Sequence, residues 1–396
     1  MLESSARMLL YPRIRKSPFF YAAHAEGVAM YSVYNRMYIP RHYGDPVAEY
    51  WNLLNNVNLT DVGVQRPLEI TGPDAFTFTS FLVTRNLDNL EVGQCKYTFM
   101  TDQHGGIIND PVLLRLDDNH FWLTLADSDA LLWARGLAVN SGLDVTISEP
   151  DMGPVQVQGP RSLELMVDLF GGSIRDIRYY FLREYELMGM RVLVSRTGYT
   201  AELGYEIYLL DATRNGTRLW QIITEAGAPY GLAPGGVSHL RRIEAGILSL
   251  GADIDLSTNP YEVGMGYPWM LSMDKEGGFV GREALLRIAE RGVERRLVGV
   301  HIDGDPLGSY TDGSMVDAFP VSHGGAVVGK VTSACHSPRL ERNIGMALVP
   351  VELADPGTSV QVIVDELARD AMVTPMPFVD PKKQAARQPV GVGSGG

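Results

Sequence analysis

A carboxylate in an otherwise apolar stretch is the first residue whose type and place could do chemistry. Asp110 lies in HGGIINDPVLLRL, residues 104–116, where two glycines predict a hairpin turn and the following residues alternate as in a strand. Asp110 shares the parity of Ile108, Val112 and Leu114, so the pattern would bury it, which is unfavourable for an unpaired charge. Pro111 offers a second interpretation, in which the strand breaks and Asp110 reaches solvent at a kink. These residues alone leave both interpretations open.

A second carboxylate stands in the segment SRTGYTAELGYEIYLL, residues 195–210. In an extended strand, Tyr205, Ile207 and Leu209 share one face and Glu206 takes the other with Tyr208. If the first set faces the core, Glu206 faces a cleft or water. A solvated outer face is the commoner place for a single glutamate, so the pattern by itself does not assign it a function.

The elements that must position these side chains follow an α+β pattern. Strand meanders alternate with helical segments up to about residue 294, and one predicted helix covers VSHLRRIEAGILSLG with Leu240, Ile243, Ile247 and Leu250 on a single stripe. From residue 295 to 380 short strands separated by Gly and Pro turns predict a separate β-barrel or sandwich. Residues 381–396 have too little apolar content to pack, and we expect them to be disordered.

Composition excludes several classes of protein. The formal net charge is −13, from 34 basic and 47 acidic residues, and no long basic block occurs, so we expect no nucleic-acid partner. No window is long and apolar enough to span a bilayer. The two cysteines, Cys95 and Cys335, form no disulfide framework and fit a reducing, cytoplasmic location, and the histidines show no metal-site spacing. The sequence has no phosphate-binding loop and no HExxH zinc motif.

Several motifs together point to a known family, although each is weak alone. In order, they are GGIINDP, VQGP, RTGYTAELGYEIY, RRIEAGILSLG, NPYEVGMGY and FVGREAL. Over residues 18 to 375 the chain resembles the aminomethyltransferase family, which comprises the T-protein of the glycine cleavage system and its relatives. The resemblance implies a three-domain cloverleaf, with two interleaved folate-binding α+β domains in residues 1–294 and the C-terminal β-barrel or sandwich in residues 295–380. It also implies tetrahydrofolate as the cofactor.

Within this family the chain is most similar to one branch. The segments SPFF, GVAMYSVYNRMYIP, NDPVLLRL, ADSDALLWARGLA and SACHSP look like the tetrahydrofolate-dependent dimethylsulfoniopropionate demethylases. Ser238 and His239 stand where the T-protein has an Arg-Asp pair, whereas Tyr199 stands where the demethylases usually have Trp. The resemblance therefore implies transfer of a methyl group from a small donor, a sulfonium being favoured, to tetrahydrofolate. The alternatives are an O-demethylase or methylene transferase acting on methoxylated or methylenedioxy aromatics, the T-protein aminomethyltransferase, and a non-catalytic folate-binding protein.

The resemblance also implies roles for single residues. Asp110 matches the acidic residue near the reactive end of the folate, so its inward parity would suit a cofactor cavity and a catalytic role. Tyr199 and Glu206 match family positions that hold the pterin ring, and Tyr97 is expected to line the same cavity. Tyr31 and Tyr34 are the candidates for the methyl donor, since aromatic faces attract a sulfonium cation. We expect no metal, and a homodimer stays open.

Overall fold

The computed structural model of the protein describes residues 12–308 and 318–388. Its first elements form a small three-stranded sheet in the order β1-β3-β2, with one helix beside it. Their bounds are β1 Arg15–Lys16, α1 Phe20–Ala25, β2 Met30–Tyr34 and β3 Met37–His42. Strands β2 and β3 pair antiparallel through a tight turn at Asn35 and Arg36, which both have positive φ.

The next part of the chain mixes helices with strands, which confirms the predicted α+β class. Its helices are α2 Pro46–Asn55, α3 Ala75–Leu82, α4 Ala130–Ala138, α5 Ser162–Phe170, α6 Ala212–Gly227, α7 His239–Glu244 and α8 Arg282–Arg291. Its strands are β4 Val57–Asp61, β5 Pro67–Thr71, β6 Cys95–Tyr97, β7 Met100–Thr101, β8 Ile107–Asn109, β9 Val112–Asp117, β10 His120–Thr124, β11 Thr146–Ser148, β12 Met152–Gln158, β13 Leu182–Leu187, β14 Met190–Ser195, β15 Gly204–Leu210 and β16 Leu232–Pro234. Short 3-10 helices lie at Gly172–Asp176 and Ala228–Tyr230.

Two larger sheets meet face to face at the centre of this part. One has six strands in the order β13-β14-β15-β12-β4-β16, and the other has five in the order β11-β5-β10-β9-β6. The outer face of the six-stranded sheet packs on α1, α5 and α6 through a core that includes Tyr205 and Ile207. Its inner face meets the five-stranded sheet, where Tyr208 packs with Cys95 and Trp122. Both faces of β15 are therefore buried, so its even-numbered side chains lie between the sheets rather than in bulk water.

The Gly105-Gly106 turn confirms the hairpin expected there and fixes the position of the following strand. Gly105 has φ of +86°, and a Cβ on Gly106 would lie 2.2 Å from the Leu256 carbonyl oxygen. The next residue, Ile107, donates its N–H to the backbone oxygens of Asp255 and Thr258. The absence of side chains at the turn thus lets the strand that leads to Asp110 approach the segment after α7 closely.

The helix predicted over VSHLRRIEAGILSLG is much shorter in the structure. Helix α7 begins after Ser238, whose hydroxyl caps the N–H of Arg241, and ends at Glu244. Gly246, with φ of +60°, terminates it, so Ile247 and Leu250 lie in the following turns rather than on the predicted stripe. A glycine at this position and a local apolar repeat gave conflicting signals, and the glycine decided where the helix ends.

The C-terminal part is a closed barrel, which confirms the predicted change to an all-β texture. The strands are β17 Arg295–Ile302, β18 Phe319–His323, β19 Ala326–Ser337, β20 Arg342–Pro350, β21 Ser359–Val364 and β22 Leu367–Thr374. They close in the order β17-β20-β19-β18-β21-β22 around valines and alanines, with a 3-10 turn at Val351–Leu353. Within the described residues, no helix combines the length and the apolar character that crossing a bilayer requires.

The expectation of disorder from residue 381 onwards is wrong for residues 381–388. A short helix, α9, covers Gln384–Arg387, and the Asp380 carboxylate accepts from the first N–H groups of that helix. Ala386 is buried, and the Arg196 guanidinium donates to the carbonyls of Ala386 and Gln388. Local capping and one buried arginine therefore hold a segment whose composition looked unable to pack. Residues 389–396 lie outside the described part of the chain.

Candidate functional site

Asp110 lies at the break between β8 and β9, next to Pro111, as the kink interpretation had it. It is nevertheless only partly exposed, and the Tyr97 hydroxyl donates to Asp110 Oδ2 at 3.0 Å. The preceding Asn109 is fully buried, and its side-chain amide donates to the carbonyl of Ala126 and to the Ser128 hydroxyl. The break is therefore a fixed feature that directs a carboxylate into the protein.

The surroundings of Asp110 disfavour its charged form. The pKa of Asp110 is raised to about 7, mainly by burial and to a smaller extent by the negative charge of Asp253, while the hydrogen bond from Tyr97 acts in the opposite direction. No arginine, lysine or histidine pairs with Asp110 among the described residues. A carboxyl group that changes charge near neutral pH can take up or release a proton during a reaction.

Three half-buried tyrosines gather around this carboxyl group. Tyr97 contacts it directly, and the pKa of Tyr34 is raised by burial and by the charges of Asp110, Tyr199 and Asp127. Tyr199 lies in the loop between β14 and β15, and its hydroxyl donates to the Leu248 carbonyl at 2.9 Å. The structure thus brings Asp110, Tyr97, Tyr34 and Tyr199 together, although their positions span 166 residues of sequence.

Glu206 lies where strand alternation predicted, opposite the core face of β15. Its side chain is 4% exposed, and its two oxygens accept from Gln156 Nε2 at 3.0 Å, from the Tyr208 hydroxyl at 3.0 Å and from the Thr197 hydroxyl. The carboxylate therefore lies between the two sheets and not on a solvated surface. Since a carboxylate can accept about four hydrogen bonds, these three partners leave room for about one more donor.

Tyr180 connects Glu206 to the tyrosines and was missed by the sequence reasoning. Its φ is +63°, a left-handed backbone conformation that a tyrosine rarely adopts. Burial and the nearby charges of Tyr179 and Glu206 raise the pKa of Tyr180, and Tyr180 in turn contributes to the raised pKa of Tyr97. An unusual backbone angle leaves no readable signal in a sequence. We define the candidate site as Asp110, Tyr97, Tyr34, Tyr199 and Glu206, joined by Tyr180.

Tyr31 is not brought into this group. Positions 31 and 34 differ by three along β2, so their side chains point to opposite faces of the strand. The Tyr31 hydroxyl lies 3.0 Å from Nδ1 of His24, and its ring stacks with Phe20 at 5.3 Å between centroids. The odd spacing was a signal in the sequence that the two tyrosines would not share a pocket. A role of Tyr31 in donor binding stays a prediction.

A buried ion pair behind the site was also missed by the sequence reasoning. Arg242 Nη1 donates to Asp253 Oδ2 at 2.5 Å, and both side chains are almost fully buried. Two hydroxyls of barrel strand β19, from Thr332 and Ser333, donate to Asp253 Oδ1 at 2.6 Å each. The charges of this pair act on Tyr199. Arg242 and Asp253 lie 11 positions apart, but the two barrel hydroxyls lie 79 and 80 positions from Asp253, so no spacing pattern indicates the cluster.

His239, at the start of α7, lies against this ion pair. Arg242 Nε donates to His239 Nδ1 at 3.2 Å. Burial and the positive charges of Arg242 and Arg41 hold the pKa of His239 well below its usual range. His239 therefore stays neutral at physiological pH and is poorly suited to donate a proton to a leaving group.

Two family models together match most of the chain. The model described as the GCVT N-terminal domain matches residues 19–275, and the model described as the glycine cleavage T-protein C-terminal barrel domain matches residues 295–380. The second match covers the closed barrel.

Curated relatives and solved structures extend these matches. The dimethylsulfoniopropionate demethylase of Ruegeria pomeroyi is 35% identical, over 88% of this chain and 93% of that protein. The aminomethyltransferase of Halothermothrix orenii is 31% identical, over 92% of this chain and 100% of that protein. The crystal structure of aminomethyltransferase T from Bartonella henselae superimposes with a TM-score of 0.81 at 21% identity, covering 93% of this chain and 99% of the other. This last likeness concerns the fold alone.

Proposed function

The chain belongs to the glycine cleavage T-protein family, and from that premise we propose that it is a tetrahydrofolate-dependent demethylase whose methyl donor is a small sulfonium of the dimethylsulfoniopropionate class. Members of the family are transferases that use tetrahydrofolate, and this protein is one of them. The choice of a methyl group and of a sulfonium donor is the part that we propose.

One observation carries the choice of donor. Three tyrosine rings gather around Asp110, which has no basic partner among the described residues. Aromatic faces attract a cation through their quadrupole, and a carboxylate attracts it through its charge. A sulfonium is a permanent cation, so Asp110 and Tyr34 would bind it more readily than a neutral ether. Tyr97 and Tyr199, which we assign to the pterin, would hold the folate beside it. The 35% identity to the Ruegeria demethylase supports the same choice.

The residues present also fit a reduced folate. The pterin ring of folate is flat and carries N–H donors along its amino-pyrimidine edge, which suits aromatic faces and carboxylate acceptors. Tyr97 and Tyr199 are half-buried rings, and Glu206 keeps room for about one further donor. We therefore assign Tyr199 and Glu206 to the pterin, with Tyr97 beside them.

In the proposed reaction the leaving group needs no help from an acid. When bound, tetrahydrofolate supplies the nucleophilic nitrogen that accepts the methyl group. The carbon–sulfur bond breaks with its electron pair staying on sulfur, so the product is a neutral thioether that needs no proton. The chain then has to align the donor, exclude water and accept the proton released from the nitrogen. The Asp110 carboxylate, with a pKa of about 7, can hold that proton.

An aryl-ether donor would need more help from the protein when its leaving group departs. Its leaving oxygen needs a proton or strong stabilisation. His239, the residue that could have supplied one, has a pKa held well below its usual range. His239 therefore gives the O-demethylase alternative no support. The aminomethyltransferase alternative keeps one specific support, namely 31% identity over the full length of the Halothermothrix protein.

A product analysis tests the proposal. The protein is incubated with tetrahydrofolate and, separately, with dimethylsulfoniopropionate, glycine betaine, a methoxylated aromatic acid and an aminomethylated lipoyl carrier protein. Mass spectrometry then distinguishes 5-methyltetrahydrofolate from methylenetetrahydrofolate. We expect the methylated product with the sulfonium. Methylenetetrahydrofolate formed only with the lipoyl carrier would overturn the proposal in favour of the aminomethyltransferase.

A further inference from the structure

A surface cleft of about 390 Å³ lies between the β2–β3 turn, the start of α4 and the end of β11. Its charged lining residues are Arg36, Arg66, Arg135, Asp129 and Glu149. The volume lies within the range of sites that bind small molecules. None of the candidate-site residues lines this cleft, so the folate chemistry proposed above does not account for it.

The cleft carries more positive charge than its carboxylates neutralise. Glu149 is shared between two arginines, since Arg66 Nη2 and Arg15 Nη1 each lie 2.7 Å from one of its oxygens. Arg36 pairs with Asp129 at 3.0 Å. The lining itself has three arginines, Arg36, Arg66 and Arg135, and two carboxylates, so it carries an excess of one positive charge. Arg15 is not part of the lining but adds a fourth guanidinium through its contact with Glu149. This excess is local, because the whole chain has a net charge of −13.

Arg135 and Arg36 are the arginines best able to bind a ligand. Arg135 has no carboxylate partner within residues 12–308 and 318–388, and its Nε and Nη2 donate only to the Ile147 carbonyl, at 3.3 and 3.2 Å. The Arg36 and Asp129 side chains are 67% and 58% exposed, so their ion pair is weak and an incoming anion can replace Asp129. A guanidinium group matches the planar geometry of a carboxylate or phosphate.

The cleft also has an apolar wall. Leu125 and Leu131 are buried beneath it, and Leu132 is 60% exposed at its side. We propose that the cleft binds a small organic dianion with a short apolar body, whose two charges pair with Arg135 and Arg36 while the body covers Leu132. A phosphate monoester and a dicarboxylate both have this chemistry. The proposal is independent of the methyl donor and of folate.

Isothermal titration calorimetry on the full chain, at constant ionic strength, tests this inference. The ligands are phenyl phosphate and succinate as the two kinds of dianion, and acetate as the monoanion. We expect at least one dianion to bind with a Kd below about 1 mM, and at least tenfold more tightly than acetate. The tighter of the two identifies the class as ester or dicarboxylate.

Two arginine variants make the test specific. Arg135→Gln should weaken binding of that dianion at least tenfold, because it removes the cation that lacks a carboxylate partner. Arg191→Gln, which removes an exposed arginine of β14 that pairs with Glu184, should leave the affinity unchanged. Both side chains are exposed, so neither change should affect folding, and equal melting temperatures check this. Equal affinity of the parent and Arg135→Gln, or no preference for either dianion over acetate, would overturn the inference.

Discussion

Asp110 has a pKa of about 7, so its charge changes across the physiological range of pH. If the carboxylate is the form that accepts a proton from the nitrogen, the single-turnover rate should rise with pH, with a midpoint near 7. Asp110→Asn keeps the shape but removes the charge. We expect this variant to lose at least tenfold in rate at saturating folate, or about 1.4 kcal/mol of barrier, with only a modest loss of folate affinity.

The pH profile separates a catalytic role from a merely structural one. In Asp110→Asn the rise in rate near pH 7 should be absent, because the amide does not titrate. Rates of the parent and the variant that are equal at every pH would return Asp110 to the role of a residue at a strand break.

Tyr199 and Glu206 can be tested by folate binding alone. Tyr199→Ala removes a ring and Glu206→Gln replaces an acceptor that three neighbours already use, and each should weaken the binding of tetrahydrofolate by about 1–3 kcal/mol in calorimetry. Tyr199→Phe is the matched control, since it keeps the ring and loses the hydroxyl that donates to the Leu248 carbonyl. If all three variants bind folate like the parent, neither residue belongs to the folate site.

At the scale of elements, the β2–β3 turn determines where Tyr34 lies. Asn35 and Arg36 have φ of +50° and +60°, and asparagine tolerates such angles better than most residues. The buried Asn35 amide donates to the carbonyls of Val64 and Leu125 at 3.1 Å each, and its backbone N–H donates to Asp127 Oδ1 at 2.7 Å. The turn is thereby attached to the segments that follow β4 and β10, next to Asp110.

Two substitutions at Asn35 separate the contribution of its backbone angle from that of its side-chain hydrogen bonds. Asn35→Gly keeps the backbone angle and loses both side-chain hydrogen bonds, so we expect a loss of about 1–3 kcal/mol in the free energy of unfolding. Asn35→Ala should lose about 1 kcal/mol more, because alanine disfavours the left-handed angle. In both, the KM for the methyl donor should rise while the affinity for folate stays unchanged. An unchanged donor KM in both variants would separate this turn from donor binding.

Sequence patterns predicted the local arrangements well. The faces of β15 follow from its two-residue repeat, which depends on the strand itself, so the core side of Tyr205 and Ile207 was readable in advance. The switch to a barrel after residue 294 was also readable, because short strands separated by Gly and Pro turns are a local feature of the sequence. That Glu206 would be buried was not readable, because this depends on the second sheet, which covers the face that a single strand would leave in water.

Contacts between distant segments could not be predicted. The residues around Asp110 come from four strands or loops, and only the family resemblance grouped them. Asp253 reaches its barrel partners across about 80 positions, and Tyr180 is placed by a backbone angle. Such contacts arise when distant segments pack together, and a local pattern of residue types does not predict them.

At the scale of the whole molecule, Asp110 should couple stability to pH. Its pKa is about 7 in the folded protein and about 4 in an unfolded chain, so between these values the folded state binds more protons. Stability from this group is full below about pH 4 and is lost as the pH rises through 7. As the pH rises from about 4 to 7, the free energy of unfolding of the parent should therefore fall relative to that of Asp110→Asn. The fall should be at most about 1.4 kcal/mol per pH unit. Asp61 titrates similarly, with a pKa of about 6, but is present in both proteins.

Denaturant unfolding of both proteins at several pH values between 4.5 and 8 measures this difference. The comparison isolates Asp110 because every other titrating group is shared. A difference that stays constant with pH would mean that Asp110 has an ordinary pKa.

The barrel contributes hydroxyls to a buried ion pair, and their contribution to the free energy of unfolding should be measurable. Ser333 accepts from Arg242 Nη2 at 2.6 Å and donates to Asp253. Ser333→Ala would remove both hydrogen bonds from charged, buried partners, so we expect a loss of about 3 kcal/mol in the free energy of unfolding. Ser173→Ala, at an exposed serine, should change it by less than about 0.5 kcal/mol. A loss as small as that of the control would mean that the pair does not need the barrel.

The same contact bears on how the chain can be recombined. Two separate family models suggest that the chain has two exchangeable parts, with a boundary between residues 275 and 295. The charged residues of the ion pair lie before this boundary, and the hydroxyls that bind them lie after it. A chimera with a barrel from a relative would stay stable only if that barrel brings hydroxyls to the positions of Thr332 and Ser333. If the first part were expressed without its barrel, the Arg242–Asp253 pair would lose the hydrogen bonds with Thr332 and Ser333. A buried hydrogen-bonded cluster therefore crosses the boundary between the two family models, and we expect the parts on either side of it to fold together.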